Sequence, residues 1–226
     1  MISENLKKVE EKIAEICTKC GRNSSEIKLI AVSKTQPVEV INKALKAGLK
    51  ELGENKAQEL RNKSELITGD FRWHFIGHLQ TNKVKYVINA ADYIHALDSI
   101  KLAEEINRKA EQIGKTQNVL LEIKTSNEET KFGLQNEEEI FKVSEFCKNS
   151  PNLSLVGLMT MAAFTDDRKI VRNCFIKLRE LKDRINKHGY GLTELSMGMT
   201  NDYDLAIEEG ASMLRIGTAI FGEKNY

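Results

Sequence analysis

Eight short, β-prone apolar runs recur along the chain, with longer stretches of helical periodicity between them. The runs lie at Leu29–Ser33, Glu51–Gly53, Arg72–Ile76, Tyr93–Ala96, Asn118–Ile123, Leu153–Met159, Glu194–Ser196 and Met213–Ile216. Successive runs begin 22, 21, 21, 25, 35, 41 and 19 residues apart, room each time for one helix and two loops. That alternation predicts a parallel α/β sheet. Helices are expected around 38–46, 55–66, 80–89, 99–112, 136–148, 167–187 and 202–209, with an extra N-terminal helix over about 3–20 ending at Gly21. Pro37 falls at a helix start, where its missing N–H costs nothing. Eight units in 226 residues favour a single (β/α)8 TIM-type barrel, a fold that commonly runs to about 200–250 residues as one domain. An open doubly wound sheet is the alternative that periodicity alone leaves standing.

No linker, low-complexity segment or composition break divides the chain, so residues 1–226 are expected to form one domain. Its 34 Lys and Arg against 33 Asp and Glu give a formal charge of +1, which argues against a surface built for nucleic acid or an anionic membrane. No apolar stretch approaches bilayer length, and the opening MISENLKKVEEKI lacks a signal-peptide core, so a cytoplasmic location is expected. Four cysteines are too sparse for a disulfide scaffold. Cys17-Thr-Lys-Cys20 could be a redox pair or half a zinc site, but Cys147 and Cys174 are far apart and complete no tetrad. The motif ends a helical stripe of Leu6, Val9, Ile13, Ile16 and Cys20, so the plainer reading is a packed face. His74 and His78 invite a metal reading too, yet Gly77 and an extended run break the helical spacing it needs. No metal site is expected.

In such a barrel, functional residues gather just past the C-terminal ends of strands. Those positions hold Lys34, Glu54, Asn55, Gly77, His78, Asp98, Thr125, Ser126, Met159, Thr160, Ser196–Gly198 and Arg215–Thr218. The buried-strand pattern ending at Ser33 delivers Lys34 straight off its end. Partial burial there would disfavour the ammonium and free the amine as a nucleophile toward carbonyls; the plainer reading is a lysine reaching solvent. Ser-Met-Gly-Met-Thr-Asn (196–201) and Arg-Ile-Gly-Thr (215–218) follow the last two strands, where such barrels often bind phosphate. Gly198 and Gly217 would let backbone N–H groups approach an anion, and Ser196 and Thr218 would add hydroxyls. A nucleophilic lysine, a phosphate cradle and a strand-end arginine together describe a pyridoxal 5'-phosphate (PLP) site with Lys34 as the Schiff-base lysine.

The chain also resembles a known family, the pyridoxal-phosphate homeostasis proteins, related to the N-terminal barrel of alanine racemase. The matching segments are Leu-Ile-Ala-Val-Ser-Lys-Thr-Gln-Pro (29–37), Leu-Gly-Glu-Asn (52–55) and Trp-His-Phe-Ile-Gly-His-Leu-Gln-Thr-Asn-Lys (73–83). Lys131-Phe-Gly133, Gly157-Leu-Met-Thr160, Leu195-Ser-Met-Gly-Met199 and Arg215-Ile-Gly-Thr-Ala-Ile-Phe-Gly222 follow in order. By that resemblance Lys34 carries PLP as a Schiff base, and Ser196, Gly217 and Thr218 hold its phosphate. Arg215 would face the pyridine nitrogen, and Asn55 and Met159 would line the cofactor. His78 departs from the family pattern and reads as variation at the rim.

The remaining features have plain readings. Trp73 and Phe75 alternate as core, Lys83 and Lys85 form a solvated face, and Glu137–Glu139 are the acidic first turn of a helix. Asp202 and Asp204 are helix-start residues with no ligand role. Three functions compete: a PLP-binding protein that buffers or delivers the cofactor, a PLP enzyme such as a weak amino-acid racemase, and a lysine aldolase without cofactor. A cation at the pyridine nitrogen weakens the ring as an electron sink. Racemases of this kind tolerate it but add a second domain bearing a tyrosine base, whereas this sequence stops at Tyr226. The expectation is therefore intracellular PLP homeostasis without substantial turnover. Its partners would be PLP and PLP-dependent apo-enzymes, with no nucleic acid or membrane, and the protein is expected to be a monomer.

Overall fold

The computed structural model describes residues 1–126, 128 and 131–222. After α1 (Ile2–Lys19), strands and helices alternate: β1 (Lys28–Val32), α2 (Val38–Lys46), β2 (Glu51–Glu54), α3 (Ala57–Ser64), β3 (Arg72–Phe75) and α4 (Val84–Val87). The series continues with β4 (Tyr93–Leu97), α5 (Ile100–Gln112), β5 (Gln117–Glu122), α6 (Glu137–Lys148), β6 (Leu153–Met159) and α7 (Arg168–Lys187). It ends with β7 (Glu194–Ser196), α8 (Tyr203–Glu208), β8 (Met213–Ile216) and α9 (Thr218–Phe221). All neighbouring strands pair in parallel, and β8 returns to β1 with Ile30 opposite Arg215, so the sheet is a closed barrel. That pairing disposes of the open-sheet alternative.

Alternation along each strand divides two interiors. Trp73 and Phe75 of β3 join the large core between sheet and helices. A separate small cluster of Ile30, Leu120, Met159 and Met213 draws on β1, β5, β6 and β8, strands from different sides of the ring, and so lies inside it. The helices cover the outside with apolar stripes. In α1 the stripe is Leu6, Val9, Ile13, Ile16 and Cys17, while Cys20 is the exposed C-terminal cap residue. This corrects the sequence expectation, which put Cys20 on the packed face; the stripe closes on Cys17, four residues after Ile13, and the helix ends before Cys20. The segment expected as a helix over 80–89 is a 3-10 turn (Thr81–Lys83) followed by the single turn of α4, which sends only Val84 and Val87 into the core. Asn136 caps α6 by accepting from the backbone N–H of Glu138 and Glu139, as its acidic first turn suggested. No described helix is long and apolar enough to cross a membrane.

Gly157 opposes Glu194 across β6 and β7, and a Cβ added there would lie 2.1 Å from the Glu194 carbonyl oxygen. Backbone cannot yield that distance without opening the ladder. Gly157→Ala should therefore lower the urea midpoint by an amount equivalent to about 1–3 kcal/mol. An unchanged midpoint would show that β6 and β7 do not pack this closely.

Candidate functional site

Arg215 sits third in β8 and is almost fully buried. Its Nη1 donates to Ser196 Oγ at 2.6 Å and its Nη2 to the Thr160 carbonyl at 2.8 Å, bonds from β8 to the ends of β7 and β6. Burial pulls its pKa down to about 10, with Asp202 and Glu122 acting the other way, so it is a cation at neutral pH. Ser196 in turn contacts His95 of β4, which contacts His74 of β3. Neither histidine figured in the sequence reading beyond the doubt over metal binding at His74. The signal was available: in a barrel strand, His74 between outward Trp73 and Phe75 must point inward.

Lys34 follows β1 as expected, but it is exposed rather than partly buried. The chain turns away immediately after it, because Thr35 adopts φ +62°, a strained conformation for a β-branched residue. Glu59 holds the turn by accepting from the Thr35 N–H at 2.5 Å, and the Thr35 hydroxyl donates to the Lys34 carbonyl at 2.6 Å. The buried lysine is instead Lys63 of α3, whose Nζ lies 2.7 Å from the Ser33 carbonyl, 2.6 Å from Glu54 Oε1 and 2.8 Å from Glu59 Oε1. Ser33 Oγ adds a bond to Glu54 Oε1 at 2.8 Å. Lys63 thus clamps the loop that presents Lys34.

The loops after β7 and β8 meet beside that strand. Gly198 has φ +95°, and a Cβ on it would lie 2.6 Å from Ala206 Cβ, so both conformation and space require glycine. Met199 N–H donates to Asp202 Oδ1 at 2.6 Å, which fixes the turn into α8 and gives Asp202 a structural partner. The hydroxyls of Thr218 and Thr200 lie 3.2 Å apart and join the two loops. Thr218 opens α9, so its N–H has no acceptor within that helix. A Cβ on Gly217 would lie 3.4 Å from Val32 Cβ, which puts this loop against the strand carrying Lys34. Ser196 stands apart from this cradle: it is wholly buried with its hydroxyl engaged by Arg215 and His95. Thr200, which the sequence reading left unassigned, supplies the hydroxyl beside Thr218.

Four buried polar atoms lack partners among the described residues, two of them at the mouth. Asn55 Oδ1 just past β2 and Glu122 Oε2 at the end of β5 lie at the mouth, whereas Glu54 Oε2 lies under α3 beside Lys63 and Gln117 Oε1 at the start of β5. Burial, with the charge of Asp98 nearby, pushes Glu122 up to about 7, against the pull of Arg215. At the rim the His78 ring stacks on Phe132 with centroids 3.8 Å apart, and its Nδ1 lies 3.6 Å from Asp98 Oδ2. Met159 closes the inner cluster with Ile30, Leu120 and Met213. A cleft of about 570 Å³ opens beside Asn55, lined also by Lys56, Asn62, Lys63 and His78; Lys34, Ser196, Arg215 and Thr218 do not line it. Among the described residues no three His, Cys, Asp or Glu side chains are grouped to hold a metal ion.

The family model described as alanine racemase, N-terminal domain matches residues 5–225. The chain is 43% identical over 225 residues to the pyridoxal phosphate homeostasis protein of Aquifex aeolicus, covering 99% of this chain and 98% of the relative. It is 39% identical to the protein of that name from Haemophilus influenzae, covering 100% and 97%. It superposes with a TM-score of 0.87 and 30% identity on the structure of PipY from Synechococcus elongatus with PLP bound, covering 98% of this chain and all of that one.

Glu122 makes stability depend on pH. Its carboxyl titrates near 7 in the fold, against about 4.3 for a free glutamate. The folded state therefore holds this proton more tightly, a contribution fully present below the unfolded value and lost as pH rises toward and past 7. Glu122→Gln should match the native protein at about pH 4 and exceed it by about 1–3 kcal/mol at pH 8. Denaturant unfolding at both values checks this, and an equal offset at both would refute the assigned burial cost.

Proposed function

The chain belongs to the pyridoxal phosphate homeostasis proteins within the alanine racemase N-terminal domain family, and on that premise we propose that it binds PLP and buffers or delivers it in the cytoplasm. The single observation that carries the reading is the convergence of an exposed lysine, a two-loop hydroxyl and backbone cradle, and a buried guanidinium on one mouth. The partnerless atoms Asn55 Oδ1 and Glu122 Oε2 support the fit, because buried polar atoms are seldom left without a hydrogen-bonding partner. When bound, the cofactor supplies an aldehyde that condenses with amines and a ring that withdraws electrons.

The residues divide that task. Gly198, Gly217, Thr200 and Thr218 would hold the phosphate, while Ser196 acts from below by fixing Arg215. Arg215 would meet the ring nitrogen as a donor and keep it unprotonated. Asn55 would line one side, and Met159 would form the apolar floor. Lys34 Nζ would join the aldehyde. Its exposure suits that role: an amine at the surface can exchange its partner with other amines, as delivery to a PLP-dependent apo-enzyme requires. One PLP-binding domain spanning 1–226, acting as a monomer, suffices for this reading. Four free thiols suit a reducing compartment.

Slow turnover follows from two features. A donor cation at the ring nitrogen weakens carbanion stabilisation. Among the described tyrosines, Tyr93 begins β4 at the opposite end of the barrel, and Tyr86 and Tyr190 pack against the outer core; Tyr203, whose backbone lies beside Gly198, packs against that outer core too. Tyr226 lies outside the described residues.

Two experiments test the reading. The purified protein loaded with PLP should be yellow, and borohydride should fix a pyridoxyl group on the peptide containing Lys34; Lys34→Ala should lose this labelling. Label found mainly on Lys56 or Lys131 would refute the assignment. Incubated with L-alanine in deuterated water, the loaded protein should exchange the α-proton far more slowly than a typical enzyme median of about 10 s⁻¹. Appearance of D-alanine at that rate would instead establish a racemase.

A further inference from the structure

A continuous chain of hydrogen bonds runs through the barrel from Arg215 near the mouth to the opposite end. Arg215 Nη1 meets Ser196 Oγ at 2.6 Å, and Ser196 Oγ meets His95 Nδ1 at 2.9 Å. His95 Nε2 meets His74 Nδ1 at 2.9 Å, and His74 Nε2 meets Glu51 Oε2 at 2.8 Å. Glu51 begins β2 and pairs with Arg72, which begins β3 and is half exposed at the barrel's other end. Both imidazoles and Ser196 are wholly buried.

The two ends dictate where every hydrogen lies. A guanidinium only donates, so Ser196 Oγ accepts from Arg215. Against the burial that would raise it, bonds from His74 and Arg72 hold Glu51 below its ordinary value, so it is an anion that only accepts. His74 must then carry its hydrogen on Nε2. Burial pushes both histidines down, so both rings are neutral with one hydrogen each. His74 Nδ1 therefore accepts, His95 Nε2 donates to it, His95 Nδ1 accepts, and Ser196 gives its one hydrogen to His95. No other placement of hydrogens on neutral rings satisfies all four contacts.

Packing alone does not call for this. The same interior also holds an apolar cluster of Ile30, Leu120, Met159 and Met213. Apolar residues of similar volume carry no desolvation cost, whereas each imidazole does. We propose that His95 and His74 are positioning residues which, acting through Ser196, fix the orientation and donor role of Arg215 and tie it to the Glu51–Arg72 pair at the far end of the barrel. With Ser196's hydrogen committed to His95, its oxygen offers Arg215 a lone pair and cannot turn a competing donor toward it. The ligand atom that meets Arg215 must then be an acceptor, which selects an unprotonated ring nitrogen. This consequence rests on the PLP reading above, whereas the hydrogen arrangement and the hold on Arg215 do not.

The test uses the full chain, first without cofactor. Nitrogen-15 NMR should find His74 and His95 as neutral Nε2–H tautomers that do not titrate between about pH 5.5 and 8. The Nη hydrogens of Arg215 should give separate, slowly exchanging signals that merge in His95→Phe. His95→Asn, whose side-chain oxygen can accept from Ser196 at the Nδ1 position, should restore them. Glu51→Gln should disturb these signals in the native background but not in His95→Asn, where the link to His74 is cut. Loaded with PLP, His95→Phe should bind it about tenfold more weakly, the size of one charge-assisted bond, and shift its visible band. An Nδ1–H tautomer at either ring, a ring that titrates, or native Arg215 signals in His95→Phe would overturn the inference. If the tautomers and Arg215 signals behave as expected but the band does not move, or PLP is not taken up, the positioning chain stands and the ring assignment of Arg215 falls.

Discussion

A buried guanidinium organises this molecule. Arg215 lies in the barrel interior with its two recorded hydrogen bonds going to an uncharged hydroxyl and a carbonyl oxygen. An isolated charge in such surroundings is costly unless hydrogen bonds take over the work of water. The strands provide them geometrically: β6, β7 and β8 stand side by side, and their ends place the Thr160 carbonyl and Ser196 hydroxyl against the two Nη groups. Closure of the sheet encloses the interior in which that charge is buried.

The lysines follow the opposite logic. Lys34 is exposed, and the order at its position comes from a neighbour that is not. Lys63 lies under the loop among the Ser33 carbonyl, Glu54 and Glu59, and Glu59 also holds the strained turn at Thr35. Removing one partner of such a buried set leaves charges uncompensated, typically at about 3–5 kcal/mol. The conformational cost at Thr35 is about 1–3 kcal/mol, within what that set can enforce. The loop is thus held in place while the Lys34 amine at its surface stays free.

The sequence made the barrel legible because its two signals are strong and local. Apolar runs such as Leu153–Met159 and Met213–Ile216 coincide with the observed strands, and Val38–Lys46 with its helix. Positions just past strand ends also led to Lys34, Asn55, Gly198 and Gly217, since a parallel barrel puts all such positions on one face. What escaped depends on side-chain direction and depth. The exposure of Lys34 accompanies the turn at Thr35, whose φ no composition rule would assign, and Lys63 is buried against Ser33, Glu54 and Glu59, of which the first two lie outside its helix. Ser196 reads as a loop hydroxyl but ends β7 facing inward, while Thr200, four residues later, reaches the neighbouring loop. α9 is too short to show a period.

His74 and His95 were hidden for a more general reason. Each sits among apolar residues in a motif that looks like core, and it is core, but of the inner compartment. In most of a protein a buried neutral imidazole needs one donor and one acceptor nearby, and any local pair will do. Here the pair is strung between a group that can only give hydrogens and one that can only take them. That boundary condition converts two ordinary buried histidines into a directional link about as long as the barrel is deep. Neither residue type nor spacing within one strand contains it; it exists only once β2, β3, β4, β7 and β8 face a common axis. The same closure that buries Arg215 therefore also decides what its environment can communicate to it. A residue change at half-exposed Arg72, acting through buried Glu51, has a physical route to the mouth that the intervening apolar cluster does not offer.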